Sequence, residues 1–212
     1  RSVIWDRRSR VTVIPEFPGS TGGRPYAMTD AGQVIGANNT PDGGHSYIWD
    51  RERGLRAIEG FNNEGSGSPS ALNDHGDVVG TSSFFNGYYG QHAFFWSDET
   101  GTVDLGDLPG GAELSHAYDI NNHRQIVGNA TGQSGGEAVI WDSAGRIHNL
   151  NELLVRDGPD DQYLHMLYGS TITDAGWITA FGFDTRDRRY RTFLLTPARP
   201  TKKNSSQFSC GK

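Results

Sequence analysis

Short apolar runs that contain a tryptophan recur along the chain at nearly constant intervals. Four copies are each followed by Asp or Ser, namely Val3–Asp6, Tyr47–Asp50, Phe94–Ser97 and Val139–Asp142. Their tryptophans are separated by 44, 47 and 45 residues. The segment Phe193–Thr196 resembles a fifth copy that lacks the tryptophan. A continuous apolar run of this length predicts a β-strand that is buried on both faces.

A second motif alternates with the tryptophan runs and predicts a hairpin. In each copy an apolar residue precedes a polar pair, a residue suited to positive φ, and a second apolar segment: Met28–Gly36, Leu72–Gly80, Ile120–Gly128 and Ile172–Ala180. Glycine occupies the turn position in three copies, where it adopts the left-handed conformation at little steric cost. Arg124 occupies it in the third copy, so we expect strain in that turn.

The hairpin motif supplies two strands and the tryptophan run supplies a third. A further apolar segment follows each tryptophan run and supplies the fourth strand of the unit. These segments are Val11–Ile14, Leu55–Ile58, Thr102–Leu105 and Arg146–Leu150. We label the hairpin strands A and B, the tryptophan strand C and the last strand D. Four strands in about 45 residues are typical of a β-propeller blade.

The repeats therefore predict an all-β protein, a β-propeller-like array of four-stranded antiparallel blades. We expect four to five blades of about 45 residues each, in a closed or incomplete ring. Residues 1–198 form a single repeat domain in this prediction, and residues 199–212 form a polar C-terminal tail.

Composition agrees with this prediction and removes several classes of function. The 212 residues include 29 glycines, and only 34% are hydrophobic, which favours short strands and tight turns over a helical bundle. The formal net charge is −6 and no basic stripe exists, which argues against a nucleic-acid partner. No apolar run approaches the roughly 20 residues of a membrane span, so we expect no membrane insertion. Cys210 is the only cysteine, so an internal disulfide is excluded.

Several motifs together resemble the HAF-repeat family of extracellular bacterial repeat proteins. The family's tandem units contain an Ile-Asn-x-x-Gly-Gln-Val-Val-Gly hairpin, then His-Ala-Phe-Leu-Trp, then Asp-Leu-Gly-x-Leu-x-Gly-Gly. This chain is similar at Ile120–Gly128, His92–Trp96 and Asp104–Gly111. The resemblance covers about residues 1–198 and implies a propeller-like fold in a secreted or cell-surface bacterial protein. It implies no settled activity and no catalytic residues.

The first unit is incomplete in the sequence. Residues 1–15 supply only strands C and D, and the tail from Ala198 to Lys212 contains no hairpin that would complete the unit. The chain also opens on Arg1 rather than Met, so we expect a fragment or processed form of a longer protein. An unpaired blade edge would then favour self-association.

Long connections locate the candidate site. In this topology the B–C and D–A connections emerge at one end of the sheets, which we call the loop face, and these are the long ones. His45, His92 and Glu137 share one repeat position before strand C, and Tyr26 and His116 begin A strands. One B–C loop also carries Phe84, Phe85, Tyr88 and Tyr89 around an Asn86-Gly87 turn. We expect all of these side chains on the loop face, around the mouth of the hub, where those other than Glu137 are the candidate ligand-binding residues.

Structural interpretations compete with this one. A repeated histidine at a strand start also suits a hydrogen bond between neighbouring blades, and the aromatic loop also suits a lid on the core. We expect no cofactor and no metal. Zinc at His45, His92 and His116 and calcium at Asp157, Asp160 and Asp161 are weaker alternatives, because neither set has a metal-binding spacing.

The sequence leaves three functions open. The first is a binding module that recognises a glycan or a protein through the loop face. The second is a hydrolase or lyase in which His92 or His116 acts as acid or base, Glu137 is its carboxylate partner, and Tyr88 or Tyr89 binds substrate. The third is a purely structural assembly domain.

Overall fold

The computed structural model describes residues 1–61, 67–85, 87, 89–133, 135–156, 158–198 and 208–210. Strands dominate this part of the chain. It contains one α-helix, α1 (Leu150–Leu153), which the Asn149 side chain caps by accepting the Asn151 N–H, and one 3-10 turn at Asp161–Tyr163. No helix in the described ranges is long and apolar enough to cross a membrane.

The strands form five antiparallel sheets that follow one another along the chain. The first sheet has two strands, β1 (Val3–Trp5) and β2 (Val11–Val13). The second contains β3 (Gly22–Met28), β4 (Val34–Thr40), β5 (Gly43–Asp50) and β6 (Gly54–Ile58). The third contains β7 (Ser68–Leu72), β8 (Val78–Phe85), β9 (Tyr89–Ser97) and β10 (Gly101–Asp104). The fourth contains β11 (Ser115–Ile120), β12 (Ile126–Gly132), β13 (Gly135–Trp141) and β14 (Ile147–Asn149). The fifth contains β15 (Leu164–Ile172), β16 (Ile178–Asp184), β17 (Arg189–Pro197) and β18 (Phe208–Cys210).

Each complete sheet corresponds to one predicted unit, with strands A, B, C and D side by side in chain order. The all-β class and the repeated four-stranded antiparallel unit are confirmed. The first sheet contains only strands C and D, as the sequence indicated. Phe208–Cys210, which the sequence assigns to the polar C-terminal tail, pairs with β17 and supplies strand D of the fifth sheet.

Apolar clusters lie between consecutive sheets and hold the array together. Ile48 of the second sheet packs with Trp96 of the third, and Val79 of the third packs with Trp141 of the fourth. Leu195 takes the place of the tryptophan in the cluster between the fourth and fifth sheets. At each junction between consecutive sheets, the tryptophan side of the later C strand, or its Leu195 equivalent, packs on the opposite side of the preceding sheet. Burial on both faces explains why the C strands are continuous apolar runs.

The first tryptophan is an exception to the predicted burial. Trp49, Trp96 and Trp141 are 5%, 7% and 0% exposed, whereas Trp5 is 68% exposed. The expectation of a buried strand is wrong for this copy, because no described sheet precedes β1 and covers that face. Among the described residues, none of the four apolar clusters joins the first sheet to the fifth.

The A–B turns link neighbouring sheets as well as reversing the chain. The Asn73 side chain accepts the N–H groups of His75 and Asp77, each at 3.0 Å, which closes its own turn. Its amide nitrogen donates to the carbonyl oxygen of Asn121 in the next sheet at 3.2 Å. Asn121 repeats this arrangement and donates to Thr173 at 3.1 Å. The asparagine of the hairpin motif, Asn73 or Asn121, therefore hydrogen-bonds one repeat unit to the next.

Arg124 adopts the left-handed conformation that the repeat requires, with φ of 58°. Its guanidinium lies against the carboxylate of Asp77 in the preceding sheet, with nitrogen–oxygen distances of 2.9 and 3.1 Å. Asp77 is buried, so its charge needs a partner. The ion pair offsets the cost of a non-glycine residue at positive φ and explains the departure from the glycine rule.

The aspartate that follows the tryptophan closes the C–D turn. Asp142 accepts the N–H groups of Ala144 and Arg146 at 3.0 Å and the Arg146 guanidinium at 2.8 Å. Burial raises the pKa of Asp142, but the hydrogen bonds from Arg146, His148 and Ala144 outweigh it and bring the pKa well below its ordinary value. Asp6 and Asp50 make equivalent turns in the first and second sheets.

The ion pair of Arg124 with Asp77 predicts that Arg124→Gly changes the free energy of unfolding in opposite directions with and without the Asp77 carboxylate. Arg124→Gly should destabilise the wild-type chain by about 1 kcal/mol, because loss of the partner of a buried charge outweighs relief of the left-handed conformation. In the Asp77→Asn background the same change should stabilise by about 1 kcal/mol, since only the conformational relief remains. Urea unfolding of the four proteins measures both steps. The same sign in both backgrounds would contradict this account.

The low pKa of Asp142 predicts acid sensitivity of its turn. A carboxyl whose pKa is lower in the folded state stabilises the fold above its unfolded pKa of about 4, and this contribution declines as pH falls through the folded value. The wild type should therefore melt at a higher temperature than Asp142→Asn at pH 6, and the gap should shrink below pH 4. Thermal unfolding across this pH range measures it; a constant gap would be the opposing result.

Candidate functional site

An exposed aromatic pair stands at the end of the third sheet. Phe85 ends β8 and Tyr89 begins β9, and the two residues are direct cross-strand partners. They are 62% and 91% exposed, and their ring centroids lie 4.9 Å apart at an interplanar angle of 52°. Gly87 has φ of 100° between them. Asn86 and Tyr88, which the sequence assigns to the same loop, lie outside the described residues.

Phe84 points inward from the same strand. Its ring lies 4.6 Å from that of His92 and 6.3 Å from that of Phe61, measured between centroids, and it packs against the apolar cluster between the second and third sheets. The lid interpretation of the aromatic loop therefore applies to Phe84, and the ligand-binding interpretation applies to Phe85 and Tyr89. Phe84 acts as part of the core, whereas Phe85 and Tyr89 face solvent.

His92 is buried between two carboxylates. Its Nδ1 lies 3.0 Å from both carboxylate oxygens of Asp104, which favours the tautomer with the proton on Nδ1. Its Nε2 is 3.3 Å from a carboxylate oxygen of Glu113, without hydrogen-bond geometry. Glu113 has φ of 55° and belongs to the loop that leads to the fourth sheet. His92 thus links β9 to β10 within its own sheet through Asp104.

His116 also joins two sheets. Its Nδ1 lies 3.0 Å from the hydroxyl oxygen of Thr81 in the third sheet, and its ring is stacked on Tyr118 at 6.3 Å. Burial lowers the pKa of His116, which favours the neutral form of the imidazole. A neutral imidazole that is bonded to a hydroxyl suits a structural link between sheets.

His45 and Tyr26 lie on the second sheet, away from these contacts. The Nε2 atom of His45 is 3.8 Å from Asp42, and its ring lies 6.1 Å from that of Phe17. Tyr26 is exposed, with the guanidinium carbon of Arg24 5.3 Å from its ring centroid. Neither residue contacts the aromatic pair.

Glu137 lines a cleft on the fourth sheet. Its carboxylate is buried, accepts the side-chain amide of Asn151 at 2.8 Å, and lies 3.5 Å from Nε2 of His165. Asn151 in turn holds the backbone of Met166 in the fifth sheet through both of its side-chain atoms. The cleft has a volume of about 520 Å³, and its walls include Leu108, Pro109, Gln133, His148, Glu152 and Leu153.

The connection between β10 and β11 contacts both His92 and the cleft that Glu137 lines. The segment from Leu105 to Leu114 places Glu113 at His92 and places Leu108 and Pro109 in the wall of the cleft. The N–H of Gln91 donates to the carbonyl of Glu113 at 3.1 Å, which brings the start of β9 beside the start of β11. The aromatic pair and the cleft therefore occupy the same end of adjacent sheets.

The three residues of the hydrolase hypothesis have separate partners. His92 contacts Asp104 and Glu113, His116 contacts Thr81, and Glu137 contacts Asn151 and His165. Sequence reasoning missed Asp104, although it begins the Asp-Leu-Gly motif 12 residues after His92. No sequence signal identifies His165 or Asn151, because each reaches Glu137 only through the packing of sheets.

The alternative metal positions have other contacts. Asp160 pairs with Arg186, and Asp161 accepts the N–H of Gly158 at 2.8 Å; Asp157 lies outside the described residues. Among the side chains that the structure describes, no group of three or more His, Cys, Asp or Glu is placed to hold a metal ion.

Comparison of the chain with models of known protein families gave no match, and comparison with curated proteins gave no significant match.

Proposed function

We propose that the protein is a binding module of a secreted or cell-surface bacterial protein, and that it recognises a glycan or protein ligand through the loop face. In this proposal the five sheets are blades of an incomplete propeller-like ring of the HAF-repeat type. The exposed pair Phe85 and Tyr89 carries the proposal, because large apolar rings that face solvent at a loop tip are typical of ligand-binding surfaces.

A glycan is the ligand that this chemistry favours. The faces of sugar rings carry C–H groups that pack on aromatic side chains, and their hydroxyl groups need polar partners. The adjacent cleft provides such partners in Gln133 and Glu152, between apolar walls. An aromatic anchor beside a polar cleft thus matches both parts of a sugar.

The contacts support catalysis less well. The hydrolase or lyase hypothesis requires His92, His116 and Glu137 to share a substrate, but each is engaged with different protein groups. No described contact favours this alternative. The structural-assembly alternative remains an outcome of the binding experiment.

The double variant Phe85→Ala/Tyr89→Ala should weaken ligand binding at least tenfold, since loss of two exposed anchors removes on the order of 1.4 kcal/mol or more. A glycan array, with a parallel pull-down from a protein mixture, identifies the ligand, and calorimetry then measures affinity. Trp177→Ala is the matched control, because Trp177 is also exposed but lies at an A–B turn on the opposite end.

Equal affinity of the double variant and the wild type would refute the proposed site. A ligand retained only by the protein pull-down would identify a protein partner instead of a glycan. Altered sedimentation of the double variant with no ligand in either assay would support the structural-assembly alternative.

A further inference from the structure

Exposed apolar side chains are concentrated at the two ends of the array. On the first sheet Val3, Trp5, Val11 and Val13 are all exposed. They form two cross-strand pairs, Val3 with Val13 and Trp5 with Val11, and so they share one face. This face points away from the second sheet, because Ile4 on the other side of β1 packs against the cluster of the first two sheets.

A groove runs from this exposed face of the first sheet toward β3 of the second sheet. It has a volume of about 480 Å³ and is lined by β1, Ile14, residues 25–28 of β3 and Val34. Within the described residues β1 pairs only with β2, so its other backbone edge is open. In the second sheet the equivalent edge of β5 pairs with β4.

The fifth sheet exposes the face of its C strand that lies opposite the tryptophan side. Leu194 occupies the position of Ile48 and Ile140, which the following sheet buries, yet Leu194 is 40% exposed. Phe181 lies beside it on the neighbouring strand, stacked between Tyr168 at 5.2 Å and Tyr190 at 5.5 Å. Phe181 and Leu194 face away from the fourth sheet, since Ala180 and Leu195 on the other side pack against that sheet. Tyr168, on the innermost strand, also contacts Tyr118 of the fourth sheet, with 5.8 Å between ring centroids.

The two exposed faces are the two halves of one recurring interface. At every internal junction a tryptophan-side face, or its Leu195 equivalent, packs on the opposite face of the preceding sheet. Within the described part of the chain, the first sheet presents the tryptophan side without a partner, and the fifth sheet presents the opposite side without a partner. The side chains named on both faces are uncharged, as in the core of a protein interface.

We propose that the fifth sheet of one copy of this chain docks on the first sheet of a second copy. The contact continues the stacking of sheets across two chains, with Leu194 and Phe181 of one copy against Trp5 and Val13 of the next. It is a head-to-tail contact between two different surfaces, so it builds closed rings or filaments and not a two-fold dimer. This surface is separate from the loop-face site, and it differs from strand pairing at a blade edge.

Complementation between two variants tests the proposal. Trp5→Glu removes the first face and keeps the last, whereas Leu194→Glu does the reverse. Sedimentation velocity of the wild-type chain should show association that increases with concentration. Each variant alone should be a monomer, and an equimolar mixture should give a 1:1 dimer and nothing larger. Val103→Glu is the matched control, because Val103 is an exposed D-strand residue of the third sheet and should leave association unchanged.

The folded state of each variant is checked by circular dichroism. A measurement without substitutions accompanies it: amide exchange in β1 of the wild type should slow at least tenfold between dilute and concentrated samples. A wild type that stays monomeric with concentration-independent exchange overturns the proposal. So does a mixture of folded variants that remains monomeric, and so does either variant forming a dimer alone.

Discussion

The packing of one apolar sheet face on the next is the interaction on which the whole molecule depends. A sheet with apolar side chains on both faces is stabilised when both faces are covered, and the second, third and fourth sheets are each covered twice. Trp141 shows what coverage provides: its ring is fully buried, and its indole nitrogen donates to the carbonyl of Leu105 in the preceding sheet at 2.9 Å. The repeat period, the continuous apolar C strands and the short turns all follow from this requirement.

Polar side chains fix the relative positions of the stacked sheets. Apolar faces alone allow sheets to slide and rotate, whereas hydrogen bonds fix their positions. Asn73 and Asn121 join successive A–B turns, and Arg124 and Asp77 form an ion pair across the same junction. At the other end of the sheets His116 and Asn151 make comparable links. Two residues of the hydrolase hypothesis, His116 and Glu137, are engaged in these links.

The loops that remain free of these links are where binding is feasible. Phe85 and Tyr89 are held by the pairing of β8 with β9, and both side chains face solvent instead of the core. The segment before β11 performs two tasks, since Glu113 closes over His92 while Pro109 forms part of the cleft beside Glu137. A ligand that spans the hairpin and the cleft would therefore contact two adjacent sheets.

The sequence by itself determined the strand order, the unit of four strands and the positions of the turns, because these depend on local patterns of apolar, β-branched and glycine residues. It also located the candidate residues at one end of the sheets, since strand direction alternates along the chain. Tertiary structure decided everything that depends on contact between units. Partial burial of Phe84, exposure of Trp5, the partners of His92 and Glu137, and the docking of residues 208–210 on β17 depend on how separate strands and sheets pack, and no local pattern encodes such contacts.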